Sequence, residues 1–144
     1  MKRDIFPRLK SERVRQWFLF WLLVGIGCFA LVFFLTGTWI GLDVREHCLI
    51  AKSRYGGDCV ESLIRTVDDE SNDFHKRNDA VWSLGQLGDP RGEAVLKKYY
   101  TGTIPDREKY DETLSQHEIR KARRLIESGF NITHFVWYDE ELMK

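Results

Sequence analysis

The chain has 144 residues, 22 basic and 22 acidic side chains, and a formal net charge of zero. Once a membrane segment is set aside, the portion beyond Leu42 is too short for two ordinary domains. The chain carries no GxSxG, HExxH, P-loop or dinucleotide fingerprint, and its small size disfavours a large active-site cleft.

From Trp17 to Leu35 the sequence WFLFWLLVGIGCFALVFFL holds no charge and no proline. At about 1.5 Å of rise per residue, such a run as a helix reaches roughly 28 Å, the thickness of a bilayer's hydrocarbon core. We therefore expect a transmembrane helix over 17–40, with Trp17, Trp21 and Trp39 near the headgroups at its two ends. The arm over 1–16 carries Lys2, Arg3, Arg8, Lys10, Arg13 and Arg15 against Asp4 and Glu12. Its charge of about +4 leaves about −4 on the remainder, so the zero total hides an asymmetry. Basic residues stay preferentially in the cytoplasm, which predicts a cytoplasmic arm and an extracytoplasmic domain over 42–144 in a single-pass protein of the cell membrane. The run is longer than a signal-peptide core, and bulky Trp39 and Ile40 follow Thr36-Gly37-Thr38. Around Cys28, Gly25 stands where a lipobox usually has leucine, and apolar residues continue afterwards, so Cys28 reads as a small membrane-embedded side chain.

Beyond the span the pattern is helical almost throughout. DVREHCLIAKSRY places Val44, Cys48, Ala51 and Tyr55 on one stripe, and Gly56-Gly57 breaks the chain. A second helix follows Asp58 as N-cap, with Val60, Leu63, Ile64 and Val67 at i, i+3, i+4 and i+7. The two should be antiparallel neighbours. FHKRNDAVWSLGQL then buries Ala80, Leu84 and Leu87, with Val81 beside them, until Gly88-Asp89-Pro90 stops it. RGEAVLKKYY buries Val95, Leu96 and Tyr99, a loop with Pro105 follows, and a fifth helix from about Leu114 to Ser128 closes at Gly129. The tail, FNITHFVWYDEELMK, alternates aromatic and polar residues as a short extended cap would.

The segment NDAVWSLGQLGDPRGEAVLKKYY resembles a HEAT-like repeat of the short bacterial type, related to those of phycobilisome lyase-like proteins. The matching features are the Ala80-to-Leu84 spacing, Leu84-Gly85-x-Leu87-Gly88-Asp89 at the turn, then Arg91 and the apolar Ala94, Val95 and Leu96. Within it, Gly85 would let the paired helices approach, Gly88 would make the tight turn, and Pro90 would open the second helix with Asp89 as cap. The resemblance covers roughly residues 76–100; Gly92 and the bulky Trp82 depart from the pattern. It implies an all-α fold, a small HEAT-like antiparallel helix-pair stack after the span, and protein–protein binding. No lyase activity, chromophore site or other cofactor carries over to these residues.

Cys48 and Cys59 lie on the first two domain helices, where an oxidising compartment would permit a disulfide; two buried free thiols are the alternative. No CxxC or HxxxH spacing supports a metal site, and His75, His117 and His134 are scattered over different elements. Arg120, Lys121, Arg123 and Arg124 form the densest basic cluster of the domain. They read as a solvated helix face balanced by Glu118 and Glu127, or as a patch for headgroups or an acidic partner. Nucleic acid is not an expected partner of an acidic external domain. Phe130, Phe135, Trp137 and Tyr138 should cover an end of the helix stack, or else dock on another protein. The expected function is a protein-binding scaffold, accessory or assembly subunit of a membrane or envelope complex. Its candidate interface residues are Lys76, Arg77, Trp82, the 120–124 cluster and Trp137. The competing classes are a small lyase-like or thiol-dependent enzyme using Cys48, and a thiol- or pH-responsive sensor at the membrane surface.

Overall fold

The computed structural model describes residues 6–138, with side chains from Glu12 onward. The first basic residues of the arm, Lys2 and Arg3, and the end of the tail over 139–144 lie outside the described residues. Among the described residues the ordered elements are all helical. Two units follow one another along the chain, one up to Thr36 and the second from Gly37 onward.

From Phe6 onward the first unit is helix. From Glu12 its apolar side chains are almost all exposed, and the most apolar window has none of its residues buried. By length and composition this is a helix able to cross a membrane. The expected span over 17–40 and the separate helix from Asp43 are instead parts of one element, α1, Phe6–Tyr55. Gly37 and Gly41 do not interrupt it. A glycine inside a helix costs only about 1 kcal/mol relative to alanine, too little to break a helix supported on both sides.

In the second unit, the last turns of α1 bury Val44, Cys48 and Ala51 of the expected stripe, and its fourth member, Tyr55, is half-buried. Gly56 and Gly57, both with positive φ, turn the chain into α2, Cys59–Asp68. The Asp58 side chain caps α2 by accepting from the Glu61 N–H at 2.8 Å. Helix α3, Phe74–Leu87, opens on Asp73, which accepts from Lys76 N–H at 2.9 Å, and closes on Gly88 in the left-handed conformation. Asp89 accepts from Arg91 N–H, and Pro90–Gly92 forms one 3-10 turn leading into α4, Glu93–Tyr99. A long loop precedes α5, Gln116–Ser128, whose cap is Ser115; a last single turn, α6, spans His134–Trp137.

Helix α3 is the centre of this unit, packed against α2 on one side and α5 on the other. The core joins Val60, Leu63 and Val67 of α2 to Ala80, Val81, Leu84 and Leu87 of α3, with Val95 and Leu96 of α4 and Ile119, Ala122 and Ile126 of α5. Each fully buried Leu, Val or Ile contributes roughly 1.5–3 kcal/mol. The tightest approach is between α3 and α5. A methyl group at Gly85 would stand 2.5 Å from the Ala122 Cα and 2.6 Å from its Cβ. The resemblance assigns that approach to the helix following the turn, so α5 is a correction. Helix α4 has only seven residues, and in the 3-10 turn before it the missing side chain of Gly92 leaves room for Leu84 of α3 and Ile126 of α5.

Candidate interaction surface

Three regions bring together the polar and aromatic residues that could meet a partner. The first is a cleft of about 460 Å³ framed by the end of α1, α2 and α3, with Glu46, His47, Arg54, Lys76 and Asp79 on its walls. Its far side is tied by a network. Arg54 donates to Asn72 Oδ1 at 2.6 Å and to Asp69 at 3.0 Å, and the Tyr55 hydroxyl donates to Asp69 at 2.5 Å. Hydrogen bonds from Ser71 and Tyr55 hold the Asp69 carboxyl well below the usual carboxylate range, with the Arg54 charge adding to them. His47 Nδ1 stands 2.8 Å from Ser83 Oγ and its ring meets Trp82 edge-on at 6.0 Å. Trp82 is half-buried against the core.

The cysteines belong to this frame. Cys48 of α1 and Cys59 of α2 form a disulfide with Cα atoms 5.0 Å apart, and both are fully buried. Cys28 is a free, exposed cysteine. Lys76 is exposed and pairs with Asp73 at 2.8 Å. Arg77, a candidate interface residue from the sequence, is instead buried. It is 5% exposed, donates from Nε to the Val67 carbonyl at 2.8 Å, and lies over the rings of Phe74 and Tyr99. Its side chain closes the last turn of α2 and is taken up by the fold.

The second region is the basic cluster on α5. Lys121 is exposed and pairs with Glu118 at 3.0 Å, and Arg124 is exposed. Arg123 lies over the Tyr100 ring at 5.1 Å and reaches Glu127 at 3.3 Å. Arg120 is half-buried, and the Nε atoms of Arg120 and Arg123 are buried without a hydrogen-bond partner. Of the cluster, Lys121 and Arg124 are the exposed members.

No protein family, curated protein or solved structure matches this chain.

The third region is the aromatic tail, where the structure departs furthest from expectation. Over its described residues the tail forms the helical turn α6 and not an extended cap, and α6 seats two consecutive side chains on two glycines of α1. A methyl at Gly37 would meet Val136 Cβ at 2.9 Å, and one at Gly41 would meet Trp137 Cγ at 2.7 Å. The Trp137 indole N–H donates to Thr133 Oγ1 at 3.0 Å. Asn131 Nδ2 donates to the Gln86 carbonyl at 3.0 Å, and His134 Nε2 lies 2.5 Å from the same oxygen. Trp137 thus covers part of the core, while Phe130, Phe135 and Tyr138 do not and remain exposed. The Gly37-x-x-x-Gly41 spacing is the sequence signal for this seat, because small residues one turn apart let another element approach a helix closely.

Sequence reasoning also missed two polar anchors. Asn78 is fully buried and donates to the carbonyls of Tyr110 at 2.8 Å and Thr113 at 3.0 Å, while its Oδ1 accepts from Ser115 N–H at 2.8 Å. Glu108 places its carboxylate at the start of α5, accepting from Gln116 N–H at 2.7 Å and from Ser115 Oγ and His117 N–H. Together they fasten the long loop. A buried asparagine in a helix and an acidic residue in a loop give no periodic signature.

Proposed function

We propose that this chain is a single-pass membrane protein, with its N-terminus in the cytoplasm, whose HEAT-like helical domain binds a protein partner at the extracytoplasmic face as an accessory or assembly subunit. The observation that carries the reading is the exposed, charge-free run from Trp17 to Leu35, followed in the same chain by a small helical unit closed by a disulfide. A disulfide is at home in an oxidising compartment, which agrees with the charge asymmetry across the span. The cleft beside Lys76 and the open cations of α5 supply charged, solvent-facing contacts, and anchoring raises their local concentration toward a membrane-held partner. No specific observation favours the thiol-dependent alternative, since Cys48 is buried and bonded to Cys59.

The test is purification of the full-length protein in mild detergent, with mass spectrometry of what accompanies it, beside the double variant Lys76→Glu, Arg124→Glu. Both side chains are exposed, so the variant should fold. A membrane partner present in stoichiometric amount and reduced at least tenfold by the charge reversal is the expected result. A clean protein with nothing bound would overturn the reading.

A further inference from the structure

The stretch over 129–138, GFNITHFVWY, holds no charged residue. It is pinned at both ends of its own turn. Asn131 and His134 bond the Gln86 carbonyl, and Val136 and Trp137 sit on Gly37 and Gly41. What this leaves outward is apolar: Phe135 is 83% exposed, Phe130 60% and Ile132 55%, with the Tyr138 ring beside them. A hydrophobic ring held open to water is a cost, and here a set of hydrogen bonds and a close-packed seat hold several of them open at once.

The seat fixes where along the helix these rings lie. Gly37 is two residues past Leu35, about 3 Å of helix rise beyond the end of the apolar run. Trp39, between the two glycines, is itself exposed. If the run spans the bilayer, chain connectivity alone brings residues 37–41 to the headgroup level. We propose that the 130–138 turn is a second membrane contact, its exposed rings lying in the boundary between headgroups and acyl chains; this rests on the reading of 17–35 as a span. The chemistry suits that boundary. Phe130, Ile132 and Phe135 offer apolar surface, while the Tyr138 hydroxyl adds the polar edge that favours the interface. The outward positions 130, 132, 135 and 138 surround a single turn of four helical residues, too short to present the i, i+3, i+4, i+7 face that a helix seated in a protein groove needs. A lipid boundary accepts them without matched shape.

The test uses the full-length protein with Cys28→Ser, keeping the disulfide, reconstituted in phosphatidylcholine–phosphatidylglycerol vesicles. An environment-sensitive fluorophore is attached in turn to F135C, to F29C within the apolar run and to K98C on α4. Each is challenged with aqueous iodide and with lipids spin-labelled at shallow or deep positions. The expected result is deep-lipid quenching for F29C, iodide quenching for K98C, and for F135C shallow-lipid quenching with iodide quenching at least threefold weaker than for K98C. Iodide access at F135C equal to that at K98C, with F29C still in lipid, would overturn the proposal and leave the span standing. Protection of F135C from both iodide and lipid would also overturn it, since protein would then cover the turn. F29C open to iodide would remove the span reading and the proposal with it.

Discussion

Gly85 and Ala122 meet so closely that the two helices they belong to are separated by little more than backbone. Alanine at an ordinary helical glycine is worth up to about 1 kcal/mol of added stability, but at position 85 the new methyl would overlap the Ala122 backbone. Gly85→Ala is therefore expected to destabilise the protein by about 2–3 kcal/mol. Gly25→Ala, with nothing within 4 Å, should be neutral or slightly stabilising. Thermal melts of both variants in the same detergent decide it. The glycine itself was legible, since a small residue amid Leu84 and Leu87 marks a close approach; its partner was not. Which helix comes near depends on the long loop that Asn78 and Glu108 fasten, and their hydrogen bonds join positions far apart in sequence. Arg77 was illegible for a related reason. An arginine on an amphipathic pattern reads as solvated, and only tertiary packing reveals the Val67 carbonyl waiting for it.

Among the elements, the helical stripes were readable because one buried face leaves a 3.6-residue record, and the caps at Asp58 and Asp89 because each side chain satisfies a free N–H at the start of its turn; the caps at Asp73 and Ser115 were not read. The continuity of α1 was not readable. Nothing local separates a glycine that ends a helix from one that receives another element, as Gly37 and Gly41 do. The link between α1 and α2 is covalent and closes a loop of 11 residues' separation. Removing it frees the unfolded chain, at a cost of about 3 kcal/mol by chain-entropy reasoning. Mild reduction is accordingly expected to lower the melting temperature of the full-length protein, and Cys48→Ser combined with Cys59→Ser should reproduce the lower value. An unchanged melting temperature on reduction would mean that the non-covalent ties of α1, the packing of Val44 and Ala51 and the bonds of His47, Arg54 and Tyr55 among them, suffice to hold it to its neighbours.

For the molecule as a whole, a set of carboxylates makes stability depend on acid. Burial would raise the Asp58 carboxyl, but bonds from the Glu61 N–H and Arg91 outweigh it and leave it lowered; Asp89 is likewise lowered against its burial, chiefly by the Arg91 side chain. Asp69 is lowered by Ser71 and Tyr55. A carboxyl lowered in the folded state binds its proton more readily unfolded. The stability these groups add is complete above their ordinary value of about 4 and is withdrawn as pH falls below it. The melting temperature should thus decline from about pH 5 downward. For Asp69→Asn the deficit relative to the parent should be largest near neutrality and close as the pH falls; a constant deficit would assign the effect to packing. The seat on Gly37 and Gly41 has a consequence in time. A ribosome makes both glycines long before it makes Val136 and Trp137, and contacts so distant in sequence form late. Through that interval the small-residue notch on α1 stands bare, open to any helix within reach. The aromatic turn then arrives as a stopper, and until it does the chain is one whose choice of neighbour has not been made.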